Sequence, residues 1–116
     1  MKRVLIVDDN EEVSDVIGII LQDAGYDVHS HPTGNNLVSD VLTINPDLIL
    51  MDIMLGEYDG RELCDELKNN EETAHIPILL ISAAHDLHAK RNQADGFVAK
   101  PFDLEYLLQR VARTIN

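Results

Sequence analysis

The sequence contains a single cysteine, Cys64, among its 116 residues. One thiol cannot form a disulfide within the chain, so no internal disulfide stabilises the fold. A lone cysteine is also typical of a protein kept in a reducing compartment. The periodicity around Cys64 predicts a helix, and we expect the thiol to be a small side chain packed on its core face.

Positively charged residues are also few. Nine lysines and arginines stand against 21 aspartates and glutamates, which gives a formal net charge of −12. A surface of this sign repels the phosphodiester backbone, so direct nucleic-acid binding is disfavoured. Most of the acids are scattered among apolar residues, as on an ordinary solvated surface, and only a few near the ends of apolar runs need another explanation.

The sequence has no long hydrophobic run, no low-complexity tract, no internal repeat and no linker rich in Pro, Gly or Ser. Its first apolar run, Val4–Val7, is far too short for a membrane span or an export signal. With 45% apolar residues, the chain can nevertheless bury a core. We therefore expect one soluble, cytoplasmic domain over residues 1–116, with no membrane contact.

Short apolar runs and one alternating stretch predict five strands, and segments with helical periodicity separate them. The last helix should be capped by Asp103. Strands that alternate with helices indicate right-handed crossovers and a parallel sheet. The pattern predicts an α/β fold with a doubly wound, five-stranded parallel sheet and five helices. The strands are expected at Val4–Val7, Tyr26–His31, Leu48–Met51, Ile78–Ile81 and Phe97–Ala99.

Polar side chains follow four of these strands. They are Asp8 and Asp9 after the first strand, Asp52 after the third, Ser82 after the fourth and Lys100 after the fifth. In open α/β sheets the ligand site lies beyond the carboxyl ends of the strands, so these side chains are expected to converge. Several carboxylates in one crevice raise one another's pKa unless they are compensated. The lysine offsets one charge, and a divalent cation such as Mg²⁺ would offset the rest.

Simpler local roles exist for two of these residues and for Phe97 in the fifth strand. Asp9 is placed to cap the helix that follows it, Ser82 could cap a strand end, and Phe97 could be an ordinary core aromatic. Helix capping by aspartates does not explain why a hydroxyl and an ammonium group stand at two other strand ends. We therefore favour a shared site over separate local roles.

Five segments carry a resemblance to a known family. In their order and spacing, the chain resembles the receiver domain of two-component response regulators, the fold of the chemotaxis regulator CheY, from Val4 to about Ile115. This resemblance implies a flavodoxin-like strand order, 2-1-3-4-5. The matching segments are Val4–Asp9, Leu48–Leu55, Asp59–Gly60, Ile76–Ala83 and Gly96–Phe102.

The resemblance also implies a chemistry, in which Asp52 accepts a phosphoryl group from a sensor histidine kinase or a phosphotransfer protein. Mg²⁺ or Mn²⁺ would be held by Asp8, Asp9, Asp52 and the backbone carbonyl of Met54. Lys100 would pair with phosphoryl oxygens. The chain would then be a signalling switch that catalyses only its own phosphorylation and slow self-dephosphorylation, not an enzyme acting on other substrates.

The output is likewise implied by the family. Ser82 would bind a phosphoryl oxygen and move inward, and Phe97, as the switch aromatic, would rotate into the vacated space to signal to an output protein or domain. The Lys100–Pro101 peptide bond would be cis. Met54 and Ala84 carry no polar side-chain atom that could orient an attacking water, so we expect a phosphoryl lifetime that is not especially short. The oligomeric state stays open.

Two departures from the family pattern bear on the fold. Gly56 stands where proline is common in the family, so Gly56–Gly60 is expected to be a more flexible loop than in relatives with proline. The interval from Ser82 to Phe97 is about one helical turn shorter than usual in the family, and His85–Gln93 lacks a clean apolar stripe. We expect the fourth of the five helices to be short. Dimerisation through that helix, which the family resemblance would suggest, is therefore not expected for this chain.

Two other functions remain open. An Mg²⁺-dependent aspartyl phosphatase of the haloacid-dehalogenase type needs a second aspartate two positions after its nucleophile, where this chain has Met54. A degenerate receiver that acts only as a docking module would not need the full set of strand-end residues. Zinc is disfavoured because the two histidine pairs lack a third ligand at suitable spacing, and these histidines are expected at the surface. The pairs are His29 with His31 and His85 with His88.

Overall fold

The structure, a computed structural model, describes residues 1–83 and 93–115, with the backbone alone for residues 82 and 83. Seven strands and four helices lie in this part of the chain. They are β1 (Arg3–Val7), α1 (Glu11–Asp23), β2 (Asp27–His31), α2 (Leu37–Ile44), β3 (Leu48–Asp52), β4 (Met54–Leu55), β5 (Tyr58–Asp59), α3 (Gly60–Lys68), β6 (Ile78–Ala83), β7 (Gly96–Lys100) and α4 (Leu104–Ile115).

Five strands form one parallel sheet in the order β2-β1-β3-β6-β7. Counted along this sheet alone, the order is 2-1-3-4-5, so the predicted fold class and strand order are confirmed. The fourth of the five predicted helices would lie between β6 and β7, in residues 84–92. The expectation that it is short therefore lies outside the described residues.

Strict alternation along the central strands divides the core into two layers. One face of the sheet packs Leu5, Ile49 and Leu80 with apolar side chains of α2 and α3. The other face packs Ile6 and Leu50 with apolar side chains of α1 and α4. Because both faces are covered, these strands are apolar at almost every position until they reach the carboxyl edge of the sheet.

Helix caps fix where the connecting helices begin. Asp103 accepts from the backbone N–H of Glu105 at 2.8 Å, which confirms the predicted cap of α4. The N-cap of α1 is Asn10, whose Oδ1 accepts from Val13 N at 3.2 Å, so Asn10 and not Asp9 fills the simpler capping role considered above. The helix starts one residue later, which leaves the Asp9 carboxylate free for another role.

The segment Gly56–Gly60 is more ordered than the loop expected from the sequence. Its residues Tyr58–Asp59 pair antiparallel with Met54–Leu55, forming a two-stranded ribbon. Gly56 makes the turn with a positive φ of 62°, which glycine adopts without steric cost. The absence of proline at this position is therefore compatible with a paired backbone.

His31 departs from the expected surface location. Its side chain is buried, with Nε2 2.5 Å from a carboxylate oxygen of Asp40 and Nδ1 2.5 Å from the carbonyl oxygen of Thr33. The carboxylate comes from α2, nine residues along the chain, so the local sequence did not reveal it. His29 is partly exposed beside Asp27, whereas His85 and His88 lie outside the described residues.

Cys64 is buried in α3, as predicted from the periodicity. Burial is the main cause that raises the pKa of its thiol to about 12. Among the described residues, no helix combines the length and the apolar character that crossing a membrane requires.

Candidate functional site

The candidate site lies at the carboxyl edge of the main sheet, where β1 and β3 end side by side. Asp8 and Asp9 follow β1, and Asp52 is the last residue of β3. One carboxylate oxygen from each of the three lies within 4.8 Å of the others. Asp8 and Asp52 are only 4% and 7% exposed, whereas Asp9 faces solvent. The three acids predicted from the strand ends are thus brought together.

The strand ladder positions these acids. Val7 pairs with Met51, so the residues that follow them emerge together from neighbouring strands. The backbone N–H of Asp8 donates to His31 O at 3.3 Å, and that of Ile53 donates to Ile81 O at 3.1 Å. The backbone on both sides of the crevice is therefore held by the sheet up to its edge.

Short local hydrogen bonds orient two of the carboxylates. Asp8 Oδ1 accepts from the backbone N–H of Asn10 at 2.9 Å, and Asp52 Oδ1 accepts from that of Met54 at 3.1 Å. Each carboxylate keeps lone pairs beyond this bond. Both side chains are therefore oriented by the protein and can still bind a cation or react.

Lys100 reaches the site from β7, two strands away from β3. Its Nζ lies 3.2 Å from Asp52 Oδ2, and the lysine side chain is about one-third exposed. The Lys100–Pro101 peptide bond is cis. The lysine therefore contacts the buried carboxylate directly, while part of its side chain stays exposed.

Gly60 explains the Asp-Gly pair that follows the ribbon. A Cβ at this position would stand 2.3 Å from the carbonyl oxygen of Asp52, and the Gly60 N–H donates to Ile53 O at 2.7 Å. Only glycine allows the start of α3 to pack this closely against the backbone that carries Asp52. The sequence signal was the glycine itself, but the contact became visible only in the structure.

The site carries excess negative charge. Burial is the largest cause that raises the pKa of Asp8, and the nearby carboxylates of Asp52 and Asp9 raise it further, while the Asn10 N–H and Lys100 act in the opposite direction. Three carboxylates against one ammonium leave a net charge of about −2. Clustered hard oxygen ligands with this charge fit a small divalent cation such as Mg²⁺.

The remaining predicted residues lie around this centre. Met54 follows Asp52 by two positions in the ribbon, with an exposed side chain. The backbone of Ser82 lies near the end of β6, paired with Ala99. Phe97 is half-buried in β7 against the core layer below α2 and α3, and its carbonyl oxygen accepts from Arg110 Nη1 at 3.0 Å. Sequence reasoning had not identified Arg110 as a neighbour of Phe97.

Known proteins are similar to this chain in sequence and in fold. The sequence matches the response regulator receiver domain over residues 4–112, which is nearly the whole chain. The chain belongs to the response regulator receiver family. The predicted resemblance is confirmed, and receiver domains are modules of two-component systems, in which phosphorylation and Mg²⁺ are characteristic.

One curated relative and two solved receiver structures illustrate the similarity. The DNA-binding dual master transcriptional regulator RpaA of Synechocystis is 39% identical over 96% of this receiver, which spans only 48% of that protein. A response regulator structure from Chloroflexus aurantiacus has a TM-score of 0.91 at 30% identity, covering 98% of this chain and 97% of the other. The receiver domain of the Pseudomonas aeruginosa sensor histidine kinase PA1611 has a TM-score of 0.87 at 28% identity, covering 98% and 97%, and holds magnesium in its active-site cleft.

Proposed function

We propose that this receiver accepts a phosphoryl group on Asp52, with Mg²⁺ bound, and passes the resulting conformational change to an output protein or domain. The observation that carries the proposal is the convergence of Asp8, Asp9 and Lys100 on Asp52. Neutralising charge around one oriented carboxylate is what phosphoryl transfer demands, because its loose transition state needs positioning more than covalent assistance.

The phosphoryl donor is a phosphohistidine of a sensor kinase or phosphotransfer protein. A carboxylate oxygen of Asp52 attacks the phosphorus, the P–N bond breaks, and the imidazole nitrogen leaves with the electron pair. Asp52 needs no general base because a carboxylate is ionised at neutral pH. Lys100 pairs with the transferred group, whose oxygens take the place of part of its present contact with Asp52.

The metal would be held by Asp8, Asp9, Asp52 and the backbone carbonyl of Met54. When bound, Mg²⁺ neutralises charge on the phosphoryl oxygens. The geometry of the acids supports this assignment, and so does the magnesium in the cleft of the Pseudomonas receiver.

The switch would run through Ser82 and Phe97. The acyl phosphate adds about −1.5 to −2 charge and three strong acceptors beside the end of β6. The Ser82 hydroxyl would bind one of these oxygens, and Phe97 would turn into the space that the serine leaves. Arg110 of α4 donates a hydrogen bond to the Phe97 carbonyl oxygen. A rearrangement of Phe97 would therefore also change the contacts of α4.

Treatment with acetyl phosphate and Mg²⁺, followed by intact mass spectrometry, tests the proposal. We expect addition of one phosphoryl group per chain in the wild type and in Asp23→Asn, which removes an exposed acid at the end of α1, but none in Asp52→Asn. Sustained release of phosphate over many turnovers would instead indicate the aspartyl phosphatase. Absence of any Mg²⁺-dependent modification would indicate the docking module.

A further inference from the structure

The outer edge of β7 is held by an arginine of α4. β7 lies at the edge of the described sheet, where β6 is its one neighbouring strand. On the other side, Arg110 Nη1 donates to the carbonyl oxygen of Phe97 at 3.0 Å. Among the hydrogen bonds that join two described residues, no other one joins a side chain to the backbone of β7. Within this part of the chain, Arg110 is therefore the side chain that fixes the strand from outside the sheet.

Gly96, the first residue of β7, leaves the room that Arg110 needs. A Cβ on Gly96 would stand 2.3 Å from Arg110 Nη2 and 2.9 Å from Leu79 Cδ2. Gly96 does not have the positive φ of Gly25 and Gly56, so its backbone conformation does not call for glycine. Close packing explains the glycine instead, because the guanidinium group lies directly against the backbone of the strand.

The guanidinium group of Arg110 is itself held in place. The hydroxyl oxygen of Tyr106, one helical turn earlier, accepts from the same Nη1 at 3.1 Å, and the centre of its ring lies 6.0 Å from Arg110 Cζ. The ion pairs among the described residues do not include Arg110. Its charge is therefore directed at a carbonyl and a phenol oxygen, and hydrogen bonds from a charged donor are roughly twice as strong as neutral ones.

The same strand carries the lysine of the phosphorylation site. Lys100 is the last residue of β7, and its Nζ lies 3.2 Å from Asp52 Oδ2. A phosphoryl group on Asp52 would take the place of this contact, so Lys100 has to shift to reach the phosphoryl oxygens. β7 is thus anchored at Phe97 by α4 and has to adjust at its carboxyl end. The hydrogen bond from Arg110 therefore opposes a movement of the strand that phosphorylation requires.

We propose that Arg110 is a positioning residue that holds Phe97 and β7 in the conformation of the unmodified protein, and that its bond to Phe97 breaks when Asp52 is phosphorylated. The inference rests on the proposed function, in which Phe97 turns after phosphorylation. An interaction made in only one of two conformations shifts the equilibrium between them by its full free energy. Loss of the bond therefore favours the phosphorylated conformation. A purely structural role, such as covering a carbonyl at the sheet edge, would stabilise both conformations equally.

Titration with beryllofluoride in the presence of Mg²⁺, followed by calorimetry, tests this proposal, because beryllofluoride mimics a phosphoryl group on a carboxylate. Arg110→Met removes the donors and keeps an apolar stem beside Gly96. We expect this variant to bind beryllofluoride about three- to tenfold more tightly than the wild type, which corresponds to one hydrogen bond. Tyr106→Phe removes only the hydroxyl and should give a smaller change in the same direction. Arg113→Met, which removes an exposed arginine of the same helix, is the matched control and should bind as the wild type does.

Urea unfolding separates positioning from a purely structural role. Without beryllofluoride, Arg110→Met should unfold at a lower urea concentration than the wild type. With saturating beryllofluoride and Mg²⁺ the two proteins should unfold together, because the bond is then absent from both. If Arg110→Met does not fold, Tyr106→Phe carries the same two measurements.

Two results would overturn this inference alone. Equal beryllofluoride affinities in the wild type and Arg110→Met would mean that the bond persists in both conformations. Weaker binding by Arg110→Met would mean that the arginine supports the phosphorylated conformation. Failure of the proposed function gives a different result, because the wild type would then bind no beryllofluoride, or Asp52→Asn would bind it equally well, and either finding would overturn both proposals together.

Discussion

The body of the main sheet is apolar and its carboxyl edge is acidic, although the change takes place between consecutive residues. From Leu48 to Met51, β3 is fully buried and entirely apolar, and the next residue is Asp52. β1 changes in the same way between Val7 and Asp8. The comparison teaches that apolar packing in the strands holds a group of like charges together at their ends. Stability should therefore reside in the body of the sheet and reactivity at its edge.

The largest effect on stability is expected in the body. Leu50→Ala removes a fully buried side chain from the layer under α1 and α4 and should lower the free energy of unfolding by about 2–5 kcal/mol. Leu42→Ala, on the exposed face of α2, is the matched control and should cost much less. Urea unfolding measures both, and equal losses would show that the sheet body is not the source of stability.

Gly60 lies where the body meets the edge. Gly60→Ala places a methyl group against the Asp52 backbone, which should destabilise the fold by about 1–3 kcal/mol and slow phosphorylation. Gly56→Ala has open space around it and meets only the cost of positive φ, about 1–2 kcal/mol. Stopped-flow phosphorylation separates the two: if both variants react at the wild-type rate, the Gly60 contact does not position Asp52.

At the edge itself, removing a charge should stabilise the protein. Burial raises the pKa of Asp8 above its ordinary value of 3.8, so the folded state binds this proton more tightly than the unfolded state. The penalty is absent at pH below the unfolded pKa and grows as pH rises through the folded pKa. In the absence of Mg²⁺, Asp8→Asn should therefore raise stability at pH 7, by less than Leu50→Ala lowers it, and should flatten its dependence on acidic pH.

The control for this prediction is Asp23→Asn, which changes the net charge equally but lies on the exposed end of α1. Thermal unfolding across the acidic range distinguishes the variants. A loss of stability in Asp8→Asn, or the same gain in both variants, would contradict the view that the crevice charges oppose folding.

The smallest expected effect concerns Cys64, which is buried in α3 where this helix packs against the sheet. Because its pKa is raised to about 12, almost no thiolate is present at pH 8. We expect negligible alkylation by iodoacetamide in the native protein and rapid alkylation in urea, followed by mass spectrometry. Fast reaction of the native protein would mean that α3 opens readily from the sheet.

The sequence was sufficient to predict the sheet and the residues that converge at its edge. Buried parallel strands have continuous apolar sequences. The end of such a strand can therefore be recognised by the first polar residue that follows, such as Asp8 or Asp52. The strand order came from the family resemblance, because apolar runs alone do not say which strands are neighbours. The roles of Ser82 and Phe97 in switching remain predictions.

Very short elements, and contacts between side chains or backbone of different elements, were not predictable in the same way. The ribbon of β4 and β5 has only two residues per strand, too few for a periodic pattern. The burial of His31 depends on Asp40 in the following helix, and the need for glycine at position 60 depends on the backbone of Asp52. For His31 and Gly60 the partner is set by the tertiary fold and not by local sequence.

Mapping the phosphorylated residue tests the central claim most directly. After reaction with acetyl phosphate and Mg²⁺, borohydride reduces an aspartyl phosphate to homoserine, which peptide mass spectrometry locates. The carboxylate held by Lys100 should be the acceptor, so we predict homoserine at Asp52 alone. Homoserine at Asp8 or Asp9, or its absence from every aspartate despite Mg²⁺-dependent incorporation of phosphate, would contradict this account of the site.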